Sequence, residues 1–145
     1  MIIVIGTVIS LGTSWFYGAD IDIRKVEADI LGERIIDCIL EQGVLVGEFQ
    51  EEGFDLYDFC DLNKESFGKE SNFYFNVSLF DDAGVSIKEI KGGKSFEIQC
   101  GVKEGGSEVK GGAECFRYKR NMMYHNQNQE IKIGILEILT GSNQN

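Results

Sequence analysis

The sequence has no proline, one histidine and one tryptophan, and its 14 Lys and Arg are outnumbered by 24 Asp and Glu. Without proline, turns must rest on glycine and asparagine. A single histidine, His125 in the run "HNQNQ", leaves Ser–His and Cys–His catalysis without a partner set, and it reads as a solvated turn residue. The basic deficit gives a net charge of −10. That balance opposes nucleic acid and anionic lipid headgroups as partners, since both require clustered Lys and Arg. It fits instead a solvated acidic outer surface.

CxxC is also missing. The four cysteines, Cys38, Cys60, Cys100 and Cys115, match no metal spacing, and one histidine cannot complete a zinc set. Even number and wide spacing favour two disulfides and an extracytoplasmic location, with four buried thiols as the alternative. Of three possible connectivities, Cys38–Cys60 is expected if the acidic stretch after the first helix folds back on it. Cys100–Cys115 is expected because the pair brackets a Gly-rich loop between neighbouring strands. No cofactor is implied. The pairs Gly92-Gly93, Gly105-Gly106 and Gly111-Gly112 do not open helices, so none forms a phosphate cradle. Residues 61–72 begin like a calcium loop with Asp61, Asn63 and Glu65. Ser66 then stands where glycine is needed and Asn72 where a bidentate glutamate is needed. No catalytic set emerges, and the chain is expected not to be an enzyme.

The last absence is charge at the start: residues 1–18, "MIIVIGTVISLGTSWFYG", carry none. A cleaved signal peptide wants a basic n-region and a small-x-small site. The first basic residue is Arg24, and Tyr17 would occupy the −3 position. A membrane span needs about 20 apolar residues, so eighteen diluted by Gly6, Gly12 and four hydroxyl residues is at the short limit. A third use is burial against copies of the same segment, where small residues permit close backbone approach.

From 21 to 39, Ile21, Ala28, Leu31, Ile35, Cys38 and Ile39 share one helical face, and Ile23, Val26 and Ile30 form a second, narrower stripe. Asp22, Lys25, Asp29 and Glu33 separate the two. Gly43 is placed as the C′ residue that ends the helix. A continuous helix from Met1 to Gln42 would extend roughly 63 Å, far more than a domain about 26 Å across can cover.

Period-two alternation follows, with Phe73, Phe75, Val77 and Leu79 on one face, a short strand from about Val85, and Phe96, Ile98, Cys100 and Val102 on another. Phe116, Tyr118, Met122 and Tyr124 then oppose Arg117 and Lys119. The last strand changes phase between Ile131, Ile133, Ile135 and Leu136, Ile138, which predicts a β-bulge at Gly134 and Ile135. The expected fold class is α+β: a long N-terminal α-helix, apolar half then amphipathic half, packed on an antiparallel β-meander of about five strands. The expected divisions are 1–20 as the apolar segment, 21–43 as the amphipathic helix and 44–145 as a disulfide-bonded β-rich domain. Asn76-Val77-Ser78 is a glycosylation sequon on the polar strand face.

"IIVIGTVISLGTSWF", then "DIRKVEADILGERIIDCIL", then a β-rich end bearing disulfides, resembles the type IV pilin superfamily in layout. Position 5 is Ile where bacterial pilins carry glutamate, so the resemblance is to the archaeal members. It implies an extracellular, cell-surface helical filament that serves adhesion. Copies of the chain are the partners, membrane-inserted before assembly. The implied fibre core is Ile2, Ile3, Val4, Ile5, Gly6, Val8, Ile9, Leu11, Gly12, Trp15 and Phe16. The competing expectation is a single-span, membrane-anchored binding or adhesive domain that does not polymerise. The second apolar stripe and the short span favour the filament.

Overall fold

The computed structural model describes residues 23–68, 72–93, 100, 113–126 and 128–143. Helix α1 spans Ile23–Ile39, and its buried face is Ala28, Leu31, Gly32, Ile35 and Ile39. Two-residue strands β1 (Leu40–Glu41) and β2 (Val44–Leu45) pair antiparallel directly after it. The turn between them is Gln42 and Gly43, both left-handed at φ 53° and 86°. Two consecutive left-handed residues make the type I′ turn whose twist suits a tight hairpin. Gly43 is therefore a hairpin residue and not the helix C′ residue, and α1 stops at Ile39 because Leu40 is already in a strand.

A connection over residues 46–68 contains 3₁₀ turns at Gly47–Gln50 and Lys64–Phe67 and the one-turn helix α2 (Leu56–Phe59). Four long strands follow: β3 (Phe73–Phe80), β4 (Ser86–Gly93), β5 (Glu114–His125) and β6 (Ile131–Ser142). The six strands form one sheet, curled as a half-barrel, in the order β1-β2-β5-β6-β3-β4. Among the described strands, only β2 and β5 run parallel, touching at Val44 and Met123.

These observations overturn the expected fold class. The described helix is short, and the sheet is not a five-stranded meander. A meander in chain order would place β4, "SIKEIKGG", inside the sheet. The observed order instead sets β3 beside β6, the two most apolar strands, in the interior and leaves lysine-bearing β4 at an edge, where charge discourages stray pairing. The expected strand residues Phe96, Ile98 and Val102 lie outside the described residues.

The bulge expected at Gly134 is also absent. Pairing of β5 with β6 runs without a break from Glu114↔Ser142 to His125↔Ile131. The two apolar phases of β6 mark two environments. Leu136 and Ile138 are buried under α1, whereas Ile131 and Ile133 are exposed on the outer face.

The larger core cluster fills the inner, concave side, and a smaller one of Tyr74, Cys100, Ala113 and Leu139 sits on the other face beside the Cys100–Cys115 disulfide. Ile35, Ile39, Leu45, Phe49 and Leu56 meet Phe75, Val77, Leu79, Met122, Leu136 and Ile138 in one cluster. Helix α1 covers β5 and β6, and the connection covers β3 and β4 with an aromatic group in which Phe75 lies 5.3 Å from both the Tyr57 and Phe67 rings. Thr140 donates from Oγ1 to the Ala28 carbonyl at 2.6 Å, and Ser142 from Oγ to Glu27 Oε2 at 2.7 Å. Gly32 faces the Phe116 ring so closely that a Cβ there would overlap it. Absence of a side chain at that position is what lets the helix settle on β5.

Candidate assembly surface

Helix α1 carries two apolar faces with opposite fates. Ile35 and Ile39 are fully buried, while Ile23, Val26 and Ile30 are 66%, 45% and 60% exposed. At 100° per residue the exposed three lie within a narrow arc on the side away from the sheet. The stripe continues into a groove of about 290 Å³. Ile30 and Leu31 form its helix wall and Leu62, Phe67 and Phe73 the facing wall, with Glu27 and Arg34 at the rim. The residues immediately upstream of Ile23 are the uncharged segment 1–18 and the short run 19–22. The expected core residues from Ile2 to Phe16 lie outside the described residues. Among those described, no helix is long and apolar enough to cross a membrane.

The rim of the surface is braced by a covalent and an ionic tie. Cys38 is bonded to Cys60 and Cys100 to Cys115, the two pairings expected from the sequence. The first fixes the end of α1 to α2. Arg34 donates from Nη2 to the Asp61 carbonyl at 2.8 Å beside that bridge. Two disulfides point to an oxidising environment outside the cytosol.

Electrostatics concentrate in the connection, where residues 46–68 hold seven Asp and Glu against one base, Lys64. That lysine bridges Asp55 and Asp58, both at 2.9 Å. Asp55 also caps α2, accepting from the Tyr57 amide at 2.9 Å. Its hydrogen bond from Lys64 holds the Asp55 carboxyl below the usual range, against a smaller opposing effect of burial, and the amides of Tyr57 and Asp58 act in the same sense as Lys64. Lys64 is raised in turn by Asp55 and then Asp58.

The remaining sequence candidates occupy structural places. Asn63 accepts from the Glu65 amide at 2.9 Å as the cap of a 3₁₀ turn, so that member of the calcium-like loop serves the backbone. His125 is half-buried, with its carbonyl accepting from Gln50 Nε2 at 2.6 Å. The sequon residue Asn76 sits in interior strand β3, its amide donating to Glu89 Oε1 at 3.0 Å and accepting from Ser78 Oγ at 3.1 Å. Sequence reasoning missed a second exposed apolar area on the sheet's outer face, where Met123 pairs with Ile133 next to Ile131. The odd-numbered phase of β6 was its signal.

No protein-family model matches the chain, and no curated protein or solved structure shows significant similarity to it.

Proposed function

We propose that the chain is a pilin-like structural subunit of an extracellular filament. Residues 1–18 would lie in the fibre interior against copies of themselves, and the sheet domain on the outside. The observation that carries this is the outward stripe Ile23, Val26 and Ile30, exposed on the folded domain and following the uncharged segment closely in sequence. A simple membrane anchor has no use for three large apolar residues on the water side of its first helix. A neighbouring subunit does, since burying them against it stabilises the contact by about 25 cal/mol per Å². The disulfides and the net charge of −10 support an extracellular, surface-displayed domain without a nucleic-acid partner. The membrane holds the segment before assembly, and surface adhesion is the service such a fibre performs.

Negative-stain microscopy of the full chain after detergent removal tests the reading. Filaments are expected, together with a soluble, disulfide-bonded monomer when residues 1–18 are deleted. Full chain that stays dispersed in bilayers, with no fibres at any concentration, would leave the single-span anchored binding domain as the better account. A truncated chain that cannot fold would place residues 1–18 in the domain core and remove the main support for either.

A further inference from the structure

The two long hairpins turn at the end of the sheet opposite the start of α1. Register puts Ser142 beside Phe73 and Glu114, with Glu27 over it, whereas residues 81–85 and the described turn residues 126 and 128–130 close the far end. Between these turns lies a cleft of about 370 Å³, within the size range of small-ligand sites.

Its walls are held by groups already engaged. Asp81 accepts the Val85 amide on Oδ1 at 2.7 Å, and Asn126 accepts the amides of Asn128 and Glu130 on Oδ1, both at 2.9 Å. Gln50 ties the floor to the His125 carbonyl. Against that fixed frame stand four side chains that line the cleft: Asp82, Asn128, Lys132 and Tyr124. None of the four makes a side-chain hydrogen bond or ion pair among the described residues. Tyr124 is the telling member. It is only 5% exposed and borders the cleft, and its hydroxyl is neither hydrogen-bonded among the described residues nor fully sealed from solvent.

We infer that this cleft binds a neutral hexopyranoside. A carboxylate acceptor, an ammonium donor, an amide that does both and a phenol match sugar hydroxyls, each of which donates and accepts. Ile87, 42% exposed, adds apolar wall for the C–H face of the ring. An anion is disfavoured because Asp81 and Asp82 outnumber Lys132. A divalent cation is disfavoured because an ammonium shares the cleft with those carboxylates, and no group of three metal-ligating side chains occurs among the described residues. The site lies at the end of the sheet away from Ile23 at the start of α1 and shares no residue with the outward stripe, so the inference stands apart from the filament reading.

Saturation-transfer NMR on the full chain in a detergent without sugar headgroups tests it. The probes are methyl α-mannoside, methyl β-galactoside and methyl β-glucoside at about 10 mM, the range where millimolar binders are populated. Transfer to the ring protons of at least one glycoside is expected, with glycerol giving none. It should fall at least about fivefold in Asp82→Ala/Asn128→Ala and in Lys132→Ala, changes at exposed positions whose folding is checked by intact disulfides and an unchanged unfolding midpoint. No transfer from any of the three, undiminished transfer in both variants, or displacement of the sugar by inorganic phosphate would each overturn it.

Discussion

Ile35 and Ile30 are five residues apart on one helix, identical in chemistry and opposite in burial, at 0% and 60% exposed. The inner residue meets a sheet that fits it, and the outer one meets nothing among the described residues but the mouth of a groove. The difference teaches that apolarity alone does not locate the core. An amphipathic helix with one stripe is explained by its own domain, and a helix with two stripes requires something beyond it.

Substitutions can push on each side of that contrast. Ile35→Ala should cost roughly 2–5 kcal/mol, as buried isoleucine truncations do when the site cannot collapse, measured by urea unfolding. An unfolding midpoint close to the parent's would mean that the inner face is not the core. Next in size, Cys38→Ser/Cys60→Ser should cost about 3 kcal/mol, because that bridge closes a 22-residue separation in the unfolded chain. The same unfolding experiment should show the loss disappear when the parent is compared under reducing conditions. Thr140→Val removes the buried hydroxyl that donates to the Ala28 carbonyl and should cost about 1 kcal/mol. A value near zero would show that the inner face is held by packing alone.

Lower still is the effect of pH on the connection. Asp55 is depressed in the folded state, so its contribution is complete above its unfolded pKa of about 3.9 and is lost as pH falls through the folded value. Lys64 is raised, so its contribution is complete below its unfolded pKa of about 10.4 and is lost as pH rises through the folded value. Stability from this cluster is therefore flat between roughly pH 4 and pH 10 and declines outside, by a small amount that salt screens because all three partners are exposed. Asp55→Asn should flatten the acid limb of a melting-temperature profile, and an unaltered limb would dismiss the cluster. The smallest effect belongs to the outer stripe: Ile23→Ser/Val26→Ser/Ile30→Ser should leave the unfolding midpoint of the truncated domain within about 0.5 kcal/mol of the parent. In the full chain, the same triple change should abolish fibres in the micrograph.

Much of this is legible in the amino-acid sequence. Periodicity separated the two helix faces, the alternation of β3 and β5 gave their inward residues, and cysteine placement gave both bridges. The strand order was not legible, because pairing depends on which strands are most apolar across the whole sheet and not on chain neighbours. Gly43 was misplaced because left-handed backbone serves a helix end and a type I′ turn equally, and the following Val44 is silent on which. The phase change in β6 was mistaken for an inserted residue because a strand with one wet face was assumed to keep that face polar throughout. The distal cleft had no signature at all. Its side chains come from residues 50, 81, 82, 87, 124, 126, 128 and 132, and only the topology brings them together.

The bridges have a mechanical consequence. Tension applied through residues 1–22 enters the domain along α1, and if that helix unravels, extension reaches Cys38 and then passes through sulfur to Cys60. The stretch between them bears no load. The second bridge shields the stretch between Cys100 and Cys115 in the same way. With separations of 22 and 15 residues at about 3.5 Å each, oxidation withholds roughly 120 Å of contour length from a fully pulled chain. Under force the oxidised chain is a shorter and stiffer tether than its length in residues suggests.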